Sequence, residues 1–259
     1  MTTDTRPNIF PVLRYLDART AIDFLGRAFG LSLQVSYPPD GDVVQHAELK
    51  RGSAVIGLSS VTPPVADNPW TQTREGVYVV VPDVDALHAR AVAAGATIAM
   101  PLRDMDYGSR DFTVRDPEGH LWGFGTYQMS SADGTPAVFP GLCYRDAGAA
   151  IDFLEGALGF KTILRVPGDG GTVAHAELQL GAGVVMLASG PKPGGLFGAR
   201  THGAYVYLED PDAHHAQAAA AGASVLQAPE DTPYGARGYY ASDSEGFLWG
   251  FSTYRPGGN

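Results

Sequence analysis

The sequence predicts an α+β fold built from four strand–helix–strand–strand–strand units. Three observations carry that expectation. The chain duplicates itself: residues 10–60 align on 139–189 without a gap, with 25 of 51 positions identical, and 76–127 align on 203–254, with 26 of 52 identical. Within each copy, a helix-period segment is followed by runs of period two, and the same order then returns. Several strands after each helix call for mainly antiparallel sheets with helices on one face. A repeat this long is a duplicated domain, not a solenoid unit. The natural division is 1–127, a joint over 128–138 (QMSSADGTPAV) rich in Ser, Gly and Pro, and 139–259.

The first unit opens with a strand over 9–15. Asp17 then caps a helix with an apolar stripe of Ala21, Ile22, Leu25, Ala28 and Phe29, and Gly30 stops it. Strand-like runs cover 32–37, 43–50 and 54–59. The second unit repeats this with a strand over 76–81 and a helix capped by Asp83. Val84, Leu87, Ala91 and Ala94 line one face of that helix, and Gly95 ends it. Strands over 97–100, 110–115 and 121–127 close the copy. Asp116-Pro117-Glu118-Gly119 and Asp243-Ser244-Glu245-Gly246 read as hairpin turns.

Composition removes several classes of function. With 18 basic against 28 acidic side chains and a net charge of −10, the chain lacks the basic surface that nucleic acid or an anionic membrane requires. No apolar run nears the roughly 20 residues of a membrane span, and MTTDTRPNIF does not read as a secretory signal. One cysteine, Cys143 in FPGLCY, makes no internal disulfide and reads as a small buried residue, so a cytoplasmic location is expected. Gly194-Gly195 lacks the Lys and helix start of a phosphate cradle.

Strand alternation sorts the polar residues. In 43–50, Ala47 and Leu49 face the helices, leaving His46 and Glu48 on the other side. In 54–59, Val55, Gly57 and Ser59 share that other side. A turn at Arg51-Gly52 would set His46 opposite Gly57 and Glu48 opposite Val55, with His175 opposite Met186 and Glu177 opposite Val184 in the second copy. In the last strand, Trp122 and Phe124 share one face; Leu121, Gly123 and Gly125 share the other, as do Leu248, Gly250 and Ser252. Glycines inside a strand mark room for close approach. The first copy, with Gly57, is expected to be roomier than the second, with Met186.

This arrangement, with DPEGHLWGF opening the last strand, resembles the vicinal oxygen chelate superfamily, which includes glyoxalase I, bleomycin-resistance proteins and extradiol dioxygenases. The resemblance covers nearly the whole chain, twice. It implies two tandem glyoxalase-like domains, each a cup-shaped sheet of two βαβββ modules with helices outside. It also implies metal ligands on the first and fourth strand of each module in the enzymes. Carried over, those positions are Phe10, Gly57, Val77 and Gly123, then Phe139, Met186, Ala204 and Gly250. None suits a divalent metal, which takes imidazole, carboxylate or thiolate, so neither metal nor cofactor is expected.

His46-x-Glu48 and His175-x-Glu177 are the chemically suggestive pairs, each about 7 Å apart along one strand face. They read as a metal pair short of a third ligand, as an acid–base pair, or as polar groups on a wet wall. Tyr107-Gly108-x-Arg110 and Tyr234-Gly235-x-Arg237 stand near the mouth. There the Arg would clamp an anion or bridge to Asp116 or Asp243. Tyr37 and Trp70, in Pro-rich segments, would stack on a planar ligand or cover core edges. His88, His214 and His215 read as solvated on helices, and His120 has Phe247 as its counterpart.

The expected function is therefore a metal-free small-molecule binder of the bleomycin-resistance type. His46, Glu48, Gly57, Leu121, Gly123, Tyr37, Trp70, Tyr107 and Arg110 line one cup, and His175, Glu177, Met186, Gly250, Tyr234 and Arg237 the other. The alternative is a glyoxalase-like lyase or isomerase, or a dioxygenase, using His46/Glu48 or His175/Glu177. A small-molecule partner is expected, with the chain a monomer holding an internal pseudo-dimer, or a homodimer.

Overall fold

A computed structural model describes residues 7–65, 68, 71, 73–115, 119, 121–128, 134, 136–190, 202–242 and 246–255, the side chains of 28, 29, 157 and 158 excepted. Trp70, Asp116, Pro117, Glu118, His120, Gly194, Gly195, Asp243, Ser244 and Glu245 lie outside them.

The first copy runs β1 (Ile9–Tyr15), α1 (Ala18–Phe29), β2 (Ser32–Tyr37), β3 (His46–Arg51), β4 (Ala54–Ser60), β5 (Glu75–Val80), α2 (Val84–Ala93), β6 (Thr97–Asp104), β7 (Arg110–Arg115) and β8 (Leu121–Gly125). The second runs β9 (Val138–Tyr144), α3 (Ala147–Leu158), β10 (Lys161–Pro167), β11 (Val173–Leu180), β12 (Gly183–Ser189), β13 (His202–Tyr207), α4 (Pro211–Ala220), β14 (Ser224–Asp231), β15 (Arg237–Ser242) and β16 (Leu248–Ser252). Each copy is one eight-stranded sheet, ordered β2-β3-β4-β1-β5-β8-β7-β6 and its equivalent. β1 and β5 pair antiparallel at the centre and join the two modules. The fold is the α+β arrangement of two tandem copies that the sequence predicts.

An aspartate caps each of α1 to α4. The side chains of Asp17, Asp83, Asp146 and Asp210 each accept from the backbone N–H three residues on, satisfying one of the donors a helix start leaves open. Gly30 and Gly159 end α1 and α3 in the left-handed conformation.

Alternation divides the sheets as expected, with one correction of register. Ala54, Ile56 and Leu58 join the helix-side core, and Val55 packs with Phe10 on the opposite face. The β3–β4 hairpin, however, turns at Gly52-Ser53, one residue later than expected. Arg51 pairs with Ala54 and Glu48 stands opposite Gly57. Gly52, at φ 55°, takes the positive φ that such a tight turn requires. The second copy matches: Leu180 pairs with Gly183 and Glu177 faces Met186. The shift spans two residues, so each side chain keeps its face.

The two copies do not have separate cores. The core under the first module (Leu13, Ile22, Leu25, Leu49) is continuous with residues of the fourth (Val206, Ala218, Trp249, Phe251). That under the second (Val79, Phe112, Trp122, Phe124) is continuous with the third (Ile151, Leu154, Phe160, Leu187). Tyr15 meets Phe247 edge-on at 4.7 Å between centroids, and Trp122 meets Phe160 at 5.5 Å. Asn8 donates to the carbonyls of Val80 and Leu180, stitching one copy to the other. An apolar stripe shows which face of a helix is buried but not against what, so the sequence did not show this crossing.

His214 also departs from expectation. It is buried, with Nδ1 2.6 Å from the Tyr239 hydroxyl, because its side of α4 faces β15 and not solvent. No helix among the described residues is long and apolar enough to cross a membrane.

Candidate functional site

The cup-facing side of β3 places His46 and Glu48 side by side. Glu48 is fully buried, and its Oε1 lies 3.3 Å from His46 Nε2 and accepts a 2.9 Å hydrogen bond from the Tyr127 hydroxyl. The Tyr127 ring meets His46 edge-on at 5.7 Å. The second cup repeats the triad. Glu177 is buried, His175 Nε2 lies 3.2 Å from its Oε1, and the Tyr254 hydroxyl donates to the same oxygen. Both histidines keep about a third of their side chains exposed. Burial first, then the Glu48 carboxylate, pushes the Tyr127 phenol up to about 12, and the same causes raise Tyr254. Both phenols are thus neutral donors at ordinary pH. They were missed from sequence, although each ends the repeated W-G-F-x-T-Y run.

The positions carried over from the family needed correction on β5 and β13. Val77 and Ala204 face the helix-side cores, whereas Tyr78 and Tyr205 face the cups. A slip of one residue in a strand reverses the face.

Tyr78 opens onto a network found only in the first cup. Asp111, on β7, is 4% exposed and accepts from three hydroxyls: Tyr107 at 2.6 Å, Ser109 at 2.5 Å and Tyr78 at 3.2 Å. Burial, then Asp111, raises the phenol of Tyr78; for Tyr107, whose residue is half exposed, burial of the hydroxyl end and its bond to Asp111 act in the same direction. The second copy has Gly238, Ala236 and Tyr240 where the first has Asp111, Ser109 and Thr113.

The second cup holds a cavity of about 200 Å³ lined by His175, Met186, Tyr205, Tyr240 and Gly250. It lies there despite Met186, because the lining also includes the backbones of Gly141 and Gly203. A side chain at Gly250 would come within 2.7 Å of the Tyr240 ring.

Other predicted residues are placed as follows. Gly57, Gly123 and Leu121 share the first cup's face by alternation, since Trp122 and Phe124 fill the helix-side core. Tyr37 pairs with His46 at the sheet's outer edge and is exposed. Tyr107 and Tyr234 stand exposed at the mouths, edge-on to Tyr127 and Tyr254. Arg110 and Arg237 do not reach a cup. Arg110 shares the face of Phe112, so its guanidinium forks onto Asp85 of α2 and bonds Asp104. Arg237 does the same with Asp212 and Asp231. Among the described residues these are the carboxylates they meet; Asp116 and Asp243 of the adjacent turns lie outside them.

Among the described residues no three of His, Cys, Asp or Glu converge to hold a metal. His46 and Glu48 offer two donors, and the facing positions are Phe10, Gly57, Tyr78 and Gly123. A catalytic metal takes three protein ligands and an open position, so this donor set does not fit one.

Comparison with known proteins agrees with the fold. The model of the Glyoxalase/Bleomycin resistance protein/Dioxygenase superfamily matches residues 10–124 and again 137–251. The chain belongs to that superfamily. An uncharacterized protein of Mycobacterium bovis is 35% identical over 132 residues, 48% of this chain and 86% of that protein. "Putative glyoxylase CFP32" of Mycobacterium tuberculosis is 27% identical over 261 residues, 94% of this chain and 92% of that protein. Among solved structures, the Mn(II)-bound glyoxalase from Novosphingobium aromaticivorans superposes with a TM-score of 0.65 at 16% identity, covering 96% of this chain and 82% of that one. The 2,2',3-trihydroxybiphenyl 1,2-dioxygenase from Sphingomonas wittichii strain RW1 gives 0.67 at 13%, covering 97% and 90%. At these identities the structures speak to fold alone.

Proposed function

We propose that this superfamily member is a lyase- or isomerase-type enzyme that moves a proton on a small carbonyl compound, with His175 of the second cup as the acid–base group and no protein-bound metal. The observation that carries this reading is His175 on the cavity wall, backed by a buried Glu177 that Tyr254 holds in place. With Nε2–H donating to the Glu177 carboxylate, Nδ1 is left to accept a proton from the carbon beside the carbonyl. Glu177 stabilises the imidazolium so formed, and the proton returns to a neighbouring atom. The apolar part of the lining limits water around the exchanging proton.

The relatives also lean toward this alternative and away from the bleomycin-resistance type of binder. A relative that matches along nearly its whole length carries a glyoxylase name.

The test follows hydrogen–deuterium exchange at the carbon beside the carbonyl of hydroxyacetone, by NMR in D₂O, with chelator-treated full chain. Exchange is expected in the wild type and falls about a hundredfold or more in His175→Gln and Glu177→Gln. Exchange that appears only on adding a divalent metal, or survives both substitutions, overturns the reading. Ligand-induced stabilisation with no turnover of any carbonyl compound would return the chain to the binder class.

A further inference from the structure

We propose that the first cup, unlike the second, is a binding site for a small organic ammonium ion. Phe112 and Val114 pack into the helix-side core, so Asp111 and Thr113 between and beside them project into the cup. They stand opposite Gly125 and Gly123 on β8, which carry no side chains to cover them. The Asp111 carboxylate is held by three neutral hydroxyl donors, and no cation is paired with it among the described residues. Arg14, a buried cation on β1, bonds the carbonyls of Ser60 and Thr73 beside the start of β5, whereas Asp111 lies beside its end. A buried carboxylate without a counter-charge is costly to keep, and a cation in the cup offsets that cost.

A second observation points the same way. Thr113 is fully buried and its Oγ1 has no hydrogen-bond partner. Buried hydroxyls are nearly always satisfied, and a second polar group of a ligand, reaching two residues along the strand from Asp111, would satisfy this one. Tyr78 and Tyr107 reach the same carboxylate through their hydroxyls, and Tyr127 meets Tyr107 edge-on at 5.9 Å. A carboxylate set among aromatic side chains suits an ammonium group, which is attracted by the carboxylate and by any ring face it reaches.

The second copy keeps the tyrosines, as Tyr205, Tyr234 and Tyr254, but lacks the carboxylate and the threonine. Gly238 replaces Asp111, and Tyr240, in the place of Thr113, leans its ring over Gly250. The replacement is compensated. A Cβ at Gly125 would lie 1.9 Å from Asp111 Oδ1, and a Cβ at Gly238 would lie 2.7 Å from that of Ser252. The pairs Asp111/Gly125 and Gly238/Ser252 are therefore two complementary solutions to one contact.

Titration calorimetry of the full chain with benzylammonium and with neutral benzyl alcohol tests the proposal. The amine is expected to bind at one site per chain, at least tenfold more tightly than the alcohol. That preference disappears in Asp111→Asn and in the double variant Asp111→Gly with Gly125→Ser. The double variant copies a pair that already folds in the second copy, so it guards against simple loss of structure. Equal affinity for the two probes, two equivalent amine sites, or a preference that survives both variants overturns the proposal. None of these outcomes bears on His175, so proton transfer in the second cup stands or falls separately.

Discussion

The two cups share a frame and differ in what the frame displays. Both carry a His–Glu–Tyr triad at the same places, with nearly the same His–Glu separation, 3.3 Å and 3.2 Å. Across the sheet from it they part. The first cup buries a second carboxylate among hydroxyls; the second replaces it with glycine and sets a tyrosine ring beside a cavity. The His–Glu pairs sit on β3 and β11 near the sheet edge, their tyrosines follow β8 and β16, and the divergent residues sit on β7 and β15. The lesson is that duplication kept one strand's chemistry while a strand of the neighbouring module changed the kind of molecule that fits.

The comparison breaks most visibly if the copies are independent bodies. Trp122→Ala, in the core shared with α3, is expected to cost about 3–5 kcal/mol and to lower a single unfolding transition of the whole chain. Two separated transitions in calorimetry, with the second copy unaffected, would show that the shared core does not couple them.

A smaller effect sharpens the contrast between cups. Gly125→Ser alone drives a side chain into Asp111 and is expected to cost about 1–3 kcal/mol in urea unfolding. Adding Asp111→Gly should recover most of it. Additive losses would show that the two residues are not a matched pair.

The smallest effect concerns alkaline stability. Tyr127 ionises at about 12 in the folded chain, held up by burial and then by Glu48, and near 10 when unfolded. Its folded value is the raised one, so its contribution is intact below pH 10 and is lost as pH climbs toward 12. Tyr127→Phe should flatten the stability curve over that window; an unchanged slope would detach the phenol from Glu48.

Much of this was legible in the sequence because local signals agree. Asp17, Asp83, Asp146 and Asp210 cap where they stand, and the alternation of Ala47, Leu49, Ile56 and Leu58 fixes the helix side. The β3–β4 register was less legible, because Arg51-Gly52 and Gly52-Ser53 are both acceptable turns and only pairing chooses. Tyr78 was missed because the carried-over position fell one residue short, although Val77 and Val79 already mark the helix side. Arg110 was misread for the same kind of reason: its face follows Phe112. The Asp111 network was visible only as two covarying differences between the copies, Asp111/Gly238 and Gly125/Ser252.

The crossed core gives the covalent joint its meaning. Two identical chains packed this way would be bound by symmetry to identical cups, and any change in one would appear in the other. Joining the halves in a single polypeptide keeps their mutual packing while letting each concavity drift on its own. A protein of this design can hold two unlike small molecules back to back, which no symmetric pair of the same half could do.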